Sequence, residues 1–168
     1  NGTPLPLDEP IASNPPDGAL IDYYLKSPAQ GPVTLEVLDA ASNVVRRYSS
    51  ADESRPVDPS RLNIPAYWVK PAPVLAASAG MHRWVWDLHY PAPAGGGRRG
   101  GGGGGFGGGG GPWALPGEYT VRLTVNGQSY TQPLKITMDP RVQVSMADLQ
   151  KQLDTAREAA AASTKASL

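Results

Sequence analysis

There is no cysteine anywhere in this sequence. Disulfides, thiolate metal sites and thiol nucleophiles are therefore excluded. The absence does not place the chain in the cytosol, because secreted bacterial proteins also lack cysteine. Net charge is missing too, with 15 Lys and Arg against 15 Asp and Glu. A neutral chain has no global electrostatic footprint for nucleic acid or an anionic membrane. Charged residues make up only 18%, and no apolar run reaches the roughly 18 residues that a membrane span requires. No Walker loop, dinucleotide fingerprint or Gly-x-Ser-x-Gly elbow is present. The chain starts at Asn1 with no signal-peptide pattern, and the expectation is a mature product or a piece of a longer polypeptide.

What is abundant is glycine, with 20 residues, and proline, with 18. Fourteen of the 20 glycines lie in 95–111, interrupted by Arg98, Arg99 and Phe106. The other six, Gly2, Gly18, Gly31, Gly80, Gly117 and Gly127, sit at plausible turns. Outside the tract the composition is that of an ordinary β-rich domain.

Residues 1–18 carry Pro4, Pro6, Pro10, Pro15 and Pro16. Proline fixes φ and removes a donor, so this segment reads as an extended arm. After a turn at 14–18, residues 19–25 place Ile21, Tyr23 and Leu25 on one face. Residues 33–39 alternate, with Val33, Leu35 and Val37 inward and Thr34 and Glu36 outward. A connection at 39–43 returns the chain through 44–48. Residues 49–79 are irregular, and a loop this long is uncommon inside a domain. It is expected to pack through Tyr67, Trp68 and Leu75.

Gly80-Met-His-Arg-Trp-Val-Trp-Asp-Leu88 and the stretch 115–130 alternate on either side of the glycine tract. They read as adjacent strands, with His82, Trp84, Trp86 and Leu88 on one face and Tyr119, Val121, Leu123 and Val125 on the other strand's inner face. Asn126-Gly127 is a strong type I′ hairpin signal. The returning strand, 128–138, holds Pro133, which marks an edge or a bulge. Then the period changes. Ser145 reads as an N-cap with Asp148 three residues on. Met146, Leu149, Leu153, Ala156 and Ala160 form a narrow helical stripe to about Ser163. This helix either packs on the sheets or belongs to a longer helical segment.

The predicted fold is all-β: an immunoglobulin-like antiparallel sandwich over 19–140, a proline-rich arm over 1–18 and a C-terminal helix over 141–168. The hairpin Val33–Arg46, the Gly80-Met-His-x-x-x-Trp-Asp87 strand and Leu115-Pro-Gly-Glu-Tyr119 resemble the FlgD-type immunoglobulin-like domain. There a hairpin, a Gly-x-His-x-x-x-Trp-Asp strand and a Pro-Gly-x-Tyr strand recur in this order. Together with Asn14–Leu25 and Tyr130–Arg141, the chain is similar to the region following the β-propeller in large bacterial BNR-repeat proteins, of the glycosyl hydrolase or sortilin-like kind. The resemblance implies a secreted, extracellular or periplasmic, multidomain parent with any active site upstream. It implies partners among the parent's other domains or neighbouring subunits, and it carries over no catalytic residue. The glycine tract departs from the pattern, since relatives would have a shorter, proline-rich connection.

Candidate chemistry is sparse. His82 and Asp87 have opposite parity on one strand and cannot meet. Asp87 reads as a strand-end cap for turn amides, and with His89 the set has no recognised metal spacing. Asp52, Glu53 and Asp58 lack the oxygen-dense spacing of a calcium loop and read as a solvated loop. Trp84 and Trp86 share the inward parity, which leaves Trp68 and Trp113 as free aromatics for a glycan. Arg98 and Arg99 amid glycine resemble an RGG tract but offer too few phosphate contacts for nucleic acid. The contact candidates are thus Trp68, Trp113, Phe106, Arg98 and Arg99, with no cofactor, no metal and no catalytic set expected. Three functions follow: an interaction module docking to a propeller or subunit, an assembly subunit exchanging its N-terminal arm, and a carbohydrate-binding module.

Overall fold

The computed structural model describes residues 16–53, 60, 65, 73–91 and 111–166. Among these residues there are six strands in two antiparallel sheets and one helix. The strands are β1 (Ala19–Leu25), β2 (Thr34–Leu38), β3 (Val44–Ser49), β4 (Gly80–Trp86), β5 (Gly117–Val125) and β6 (Gln128–Ile136), and the helix is α1 (Met146–Ala166). One sheet is the pair β1-β4; the other has the order β3-β2-β5-β6. This mostly-β architecture with a C-terminal helix agrees with the expected layering. The arm before residue 16 lies outside the described residues.

The pairing corrects one expectation. The two stretches flanking the glycine tract are not adjacent strands: β4 pairs with β1, and β5 pairs with β2 and β6. They face each other across the core instead, with the Trp86 and Tyr119 rings edge to face at 5.5 Å. Strands β1, β2, β4 and β5 bury the parity their sequences dictate. Tyr23, Leu25, Trp84 and Trp86 come from the small sheet, and Leu35, Val37, Val45, Tyr119 and Val121 from the large one. Two apolar clusters each draw on both sheets, so the sheets share one core. Leu75 joins this core as expected, and the Tyr23 hydroxyl donates to the Ala76 carbonyl at 2.8 Å. Tyr67 and Trp68 lie outside the described residues.

Local chemistry explains the turns. The Asp39 carboxylate accepts from the Ala41 and Asn43 amides at 2.9 and 2.8 Å, closing the β2–β3 connection. Its bond from the Asn43 side chain, then those backbone donors, hold its carboxyl below the usual range. A register shift between Val37 and Leu38 marks a bulge, and Leu38 is buried directly after Val37 against the period of two. Asn126 and Gly127 take φ of 50° and 79°, the pair of left-handed residues a type I′ turn requires. Pro133 sits on β6, the edge of the large sheet, where no ladder donor is lost.

The Ser145 hydroxyl caps α1, accepting from the Asp148 amide at 3.1 Å and donating to its carboxylate at 2.6 Å. Leu153 is buried, and the Arg157 guanidinium lies 4.4 Å from the Tyr90 ring centroid. The helix therefore packs on the body of the domain. Its first stripe residue, Met146, is 53% exposed and contributes nothing to that contact, because it sits in the first turn beside the cap.

Candidate functional site

Two places combine exposed apolar surface with defined geometry. The first is the base of the glycine tract. Strand β4 stops at Trp86, and Leu88 adopts a left-handed φ of 59°, an uncommon conformation for a bulky residue. Leu88 nevertheless packs, partly buried, against the cluster around Trp86, on the core side expected for it. His89 then becomes a structural hub. Its Nδ1 lies 2.6 Å from the Asp87 carbonyl, its amide donates to the Asp87 carboxylate at 3.3 Å, and its own carbonyl accepts from the Trp86 indole at 3.1 Å. Asp87 thus acts as the strand-end cap the sequence suggested.

Three backbone bonds join the two ends of the tract: Tyr90 amide to Pro112 carbonyl, Gly111 amide to Tyr90 carbonyl, and Ala114 amide to Leu88 carbonyl, at 2.8, 2.8 and 2.7 Å. A Cβ on Gly111 would lie 2.2 Å from the Pro91 carbonyl oxygen, so only glycine fits there. Trp113 stands on this base, 59% exposed, its ring 3.8 Å from that of buried His89. Below it the Tyr119 hydroxyl donates to the Leu115 carbonyl at 2.7 Å. Burial, followed by the nearby Tyr90 and Asp39, pushes the Tyr119 phenol up to about 12.

The candidate catalytic set does not assemble. His82 bonds the Ser78 carbonyl at 2.8 Å and leans on the Tyr23 ring, on the strand face opposite Asp87. Among the described residues no group of three His, Asp or Glu is arranged to hold a metal. The Asp52 carboxylate accepts from the Ser49 amide at 2.7 Å, which makes it a turn cap; Asp58 lies outside the described residues. So do Trp68, Phe106, Arg98 and Arg99, leaving Trp113 as the contact candidate the structure places.

The second place was not visible in the sequence. In β6, Tyr130, Gln132 and Leu134 sit opposite Leu123, Val121 and Tyr119, and directly opposed residues share a face. All three therefore point to the core side. Yet Tyr130 is 57% exposed and Gln132 is also exposed. The reason is the mismatch between the sheets, four strands against two. The small sheet ends at β1 and leaves the inner face of β6 overhanging. Between them runs a cleft of about 280 Å³, floored by Leu35, Val121 and Leu123, walled by Ile21 and Leu134, and rimmed by Leu20, Tyr130 and Pro133. Only the pairing knowledge that β4 belongs with β1 could have exposed it.

No family profile, curated protein or solved structure matches this chain. No helix among the described residues is long and apolar enough to cross a membrane.

Proposed function

We propose that this chain is a non-catalytic interaction module of the immunoglobulin-like type, serving a secreted bacterial BNR-repeat protein of the glycosyl hydrolase or sortilin-like kind. Its task is to dock to a neighbouring propeller domain or subunit. The immunoglobulin-like reading is supported by Tyr119. A tyrosine near the start of a strand whose hydroxyl returns to the backbone a few residues upstream is a hallmark of such sandwiches, and here it falls in the Pro-Gly-Glu-Tyr motif that carries the FlgD-type resemblance. Trp86, wholly buried against that ring, supplies the inter-sheet tryptophan.

The observation that carries docking is the overhang of β6 beside the open side of β1. Exposed apolar residues on a core-facing parity mean that the face is built to be covered. An extended segment laid beside β1 would gain ladder bonds from the edge and apolar contacts from the cleft floor. Amide hydrogen exchange tests this. Adding the adjoining polypeptide, or raising the concentration of the chain, is expected to protect β1 and β6 amides more than those of β3. Unchanged exchange at both strands, or turnover of glycoside or peptide substrates by the purified chain, would overturn the proposal.

Carbohydrate binding has one described platform, the exposed Trp113 indole on His89. Glycan binding that disappears in Trp113→Ala would favour it over docking.

A further inference from the structure

The lining of the overhanging cleft restricts what fills it. The cleft is bounded by β1 on one side and β6 on the other, with an aliphatic floor of Leu35, Val121 and Leu123. A strand entering it must send alternate apolar side chains down while its backbone pairs with β1. Its other edge then faces solvent.

The segment Thr3-Pro4-Leu5-Pro6-Leu7 has this pattern. In an extended chain, alternate residues point their side chains to one face and their N–H and C=O groups to one edge. Leu5 and Leu7 share a face, and together with Thr3 they keep their amides on a single edge. Pro4 and Pro6 fall on the other parity, so the donors that proline lacks are those of the solvent edge. Such a strand completes a sheet and then blocks further growth, one of the ways natural edges are protected. A cleft of about 280 Å³ has room for a pair of leucine side chains.

The same segment of the same chain is poorly placed to enter. Residues that precede a proline, as Asn14 and Pro15 do, favour extended backbone. A return of the same chain through a turn at 14–18 would set Ser13 opposite Ala19, and so Glu9 opposite Tyr23 and Leu7 opposite Leu25. That register would send a carboxylate toward the cleft and take the leucines past it. A second copy is free of this constraint, and the balanced charge, 15 against 15, puts no net repulsion between copies.

We infer that residues Thr3–Leu7 of a second copy of this chain occupy the cleft between β1 and β6, completing the small sheet by strand exchange. This rests on the docking reading above and names its partner.

The lack of cysteine makes the test clean. Leu7→Cys and Gln132→Cys are made in separate chains, mixed in equal amounts and oxidised. The expected product is the mixed 7–132 disulfide dimer, in clear excess over the two symmetric dimers. Leu5→Asp with Leu7→Asp, changes outside the described strands, is expected to weaken self-association at least about a hundredfold while leaving the far-ultraviolet spectrum largely intact. Three outcomes overturn the inference. One is a statistical mixture of dimers. The second is an intramolecular disulfide alone when both cysteines sit in one chain. The third is undiminished association after removal of residues 1–13. In the third case, concentration-dependent protection of β1 and β6 that persists would leave the docking reading standing with a different occupant; its loss would remove both.

Discussion

Trp86 lies just before the base of the glycine tract and Trp113 within that base, and they show how differently one residue type is used. Trp86 is wholly buried, donates its indole hydrogen to His89 and packs edge-on against Tyr119. Its replacement by alanine should cost about 3–5 kcal/mol, the range for deleting a core aromatic. Trp113 is 59% exposed, and Trp113→Ala should cost less than about 1 kcal/mol. Urea unfolding of the two variants checks the contrast, and equal losses would contradict it. Tyr119 makes a separate prediction. Its folded pKa, about 12, lies above the ordinary value of 10.0. A group with a raised pKa contributes stability that is complete below its unfolded value and lost as pH rises through the folded one. Alkaline denaturation should therefore begin between these limits. Tyr119→Phe should remove part of that dependence, as followed by tyrosinate absorbance alongside circular dichroism.

At the level of elements, two local signals predict measurable effects. Gly127 has φ of 79° with open space where a Cβ would go, so Gly127→Ala meets a backbone penalty alone, about 1 kcal/mol. The loss should appear as faster exchange in β5 and β6, the strands this turn joins; the Asn126 side chain also accepts from the Gln30 amide at 2.8 Å. Ser145→Ala removes the α1 cap at a cost of about 1 kcal/mol, seen as fraying of the first helical turn by exchange. These elements were legible because their signals are local. The period of two in 19–25 and 33–37, the Asn-Gly turn and the Ser145–Asp148 box each act within a few residues. The illegible parts depend on distant partners. Leu38 is buried after a bulge in its pairing with β3. The β4 partner is β1, some sixty residues earlier in the chain, a pairing that no local pattern encodes.

Carboxylates spread over the surface of the whole molecule give its stability a pH dependence. Asp22 is bonded by Arg83 across β1 and β4, Asp39 by Asn43, and Asp139 by Arg141, and each partner lowers the carboxyl's pKa from 3.8. Lowered carboxyl pKa values contribute stability above the unfolded value, and it is lost as pH falls through the folded ones. The urea midpoint should stay level from neutral pH to about 5 and then decline below about 4. In Asp22→Asn the decline should be shallower, and an unchanged profile would show that the β1–β4 ion pair carries no pH dependence. The cleft between β1 and β6 is also a whole-molecule property: it arises from the count of strands in each sheet, four against two.

The sewn base at residues 88–91 and 111–114 has one more consequence. Because three backbone bonds fix the two ends together, the separation those ends must span does not depend on what is spliced between them. For a flexible loop, closure entropy grows only logarithmically, about 0.6 kcal/mol per doubling of length. Repeat expansion or contraction in the underlying gene would then be nearly neutral to the fold, and a foreign domain could be carried at this position as a passenger without disturbing either sheet.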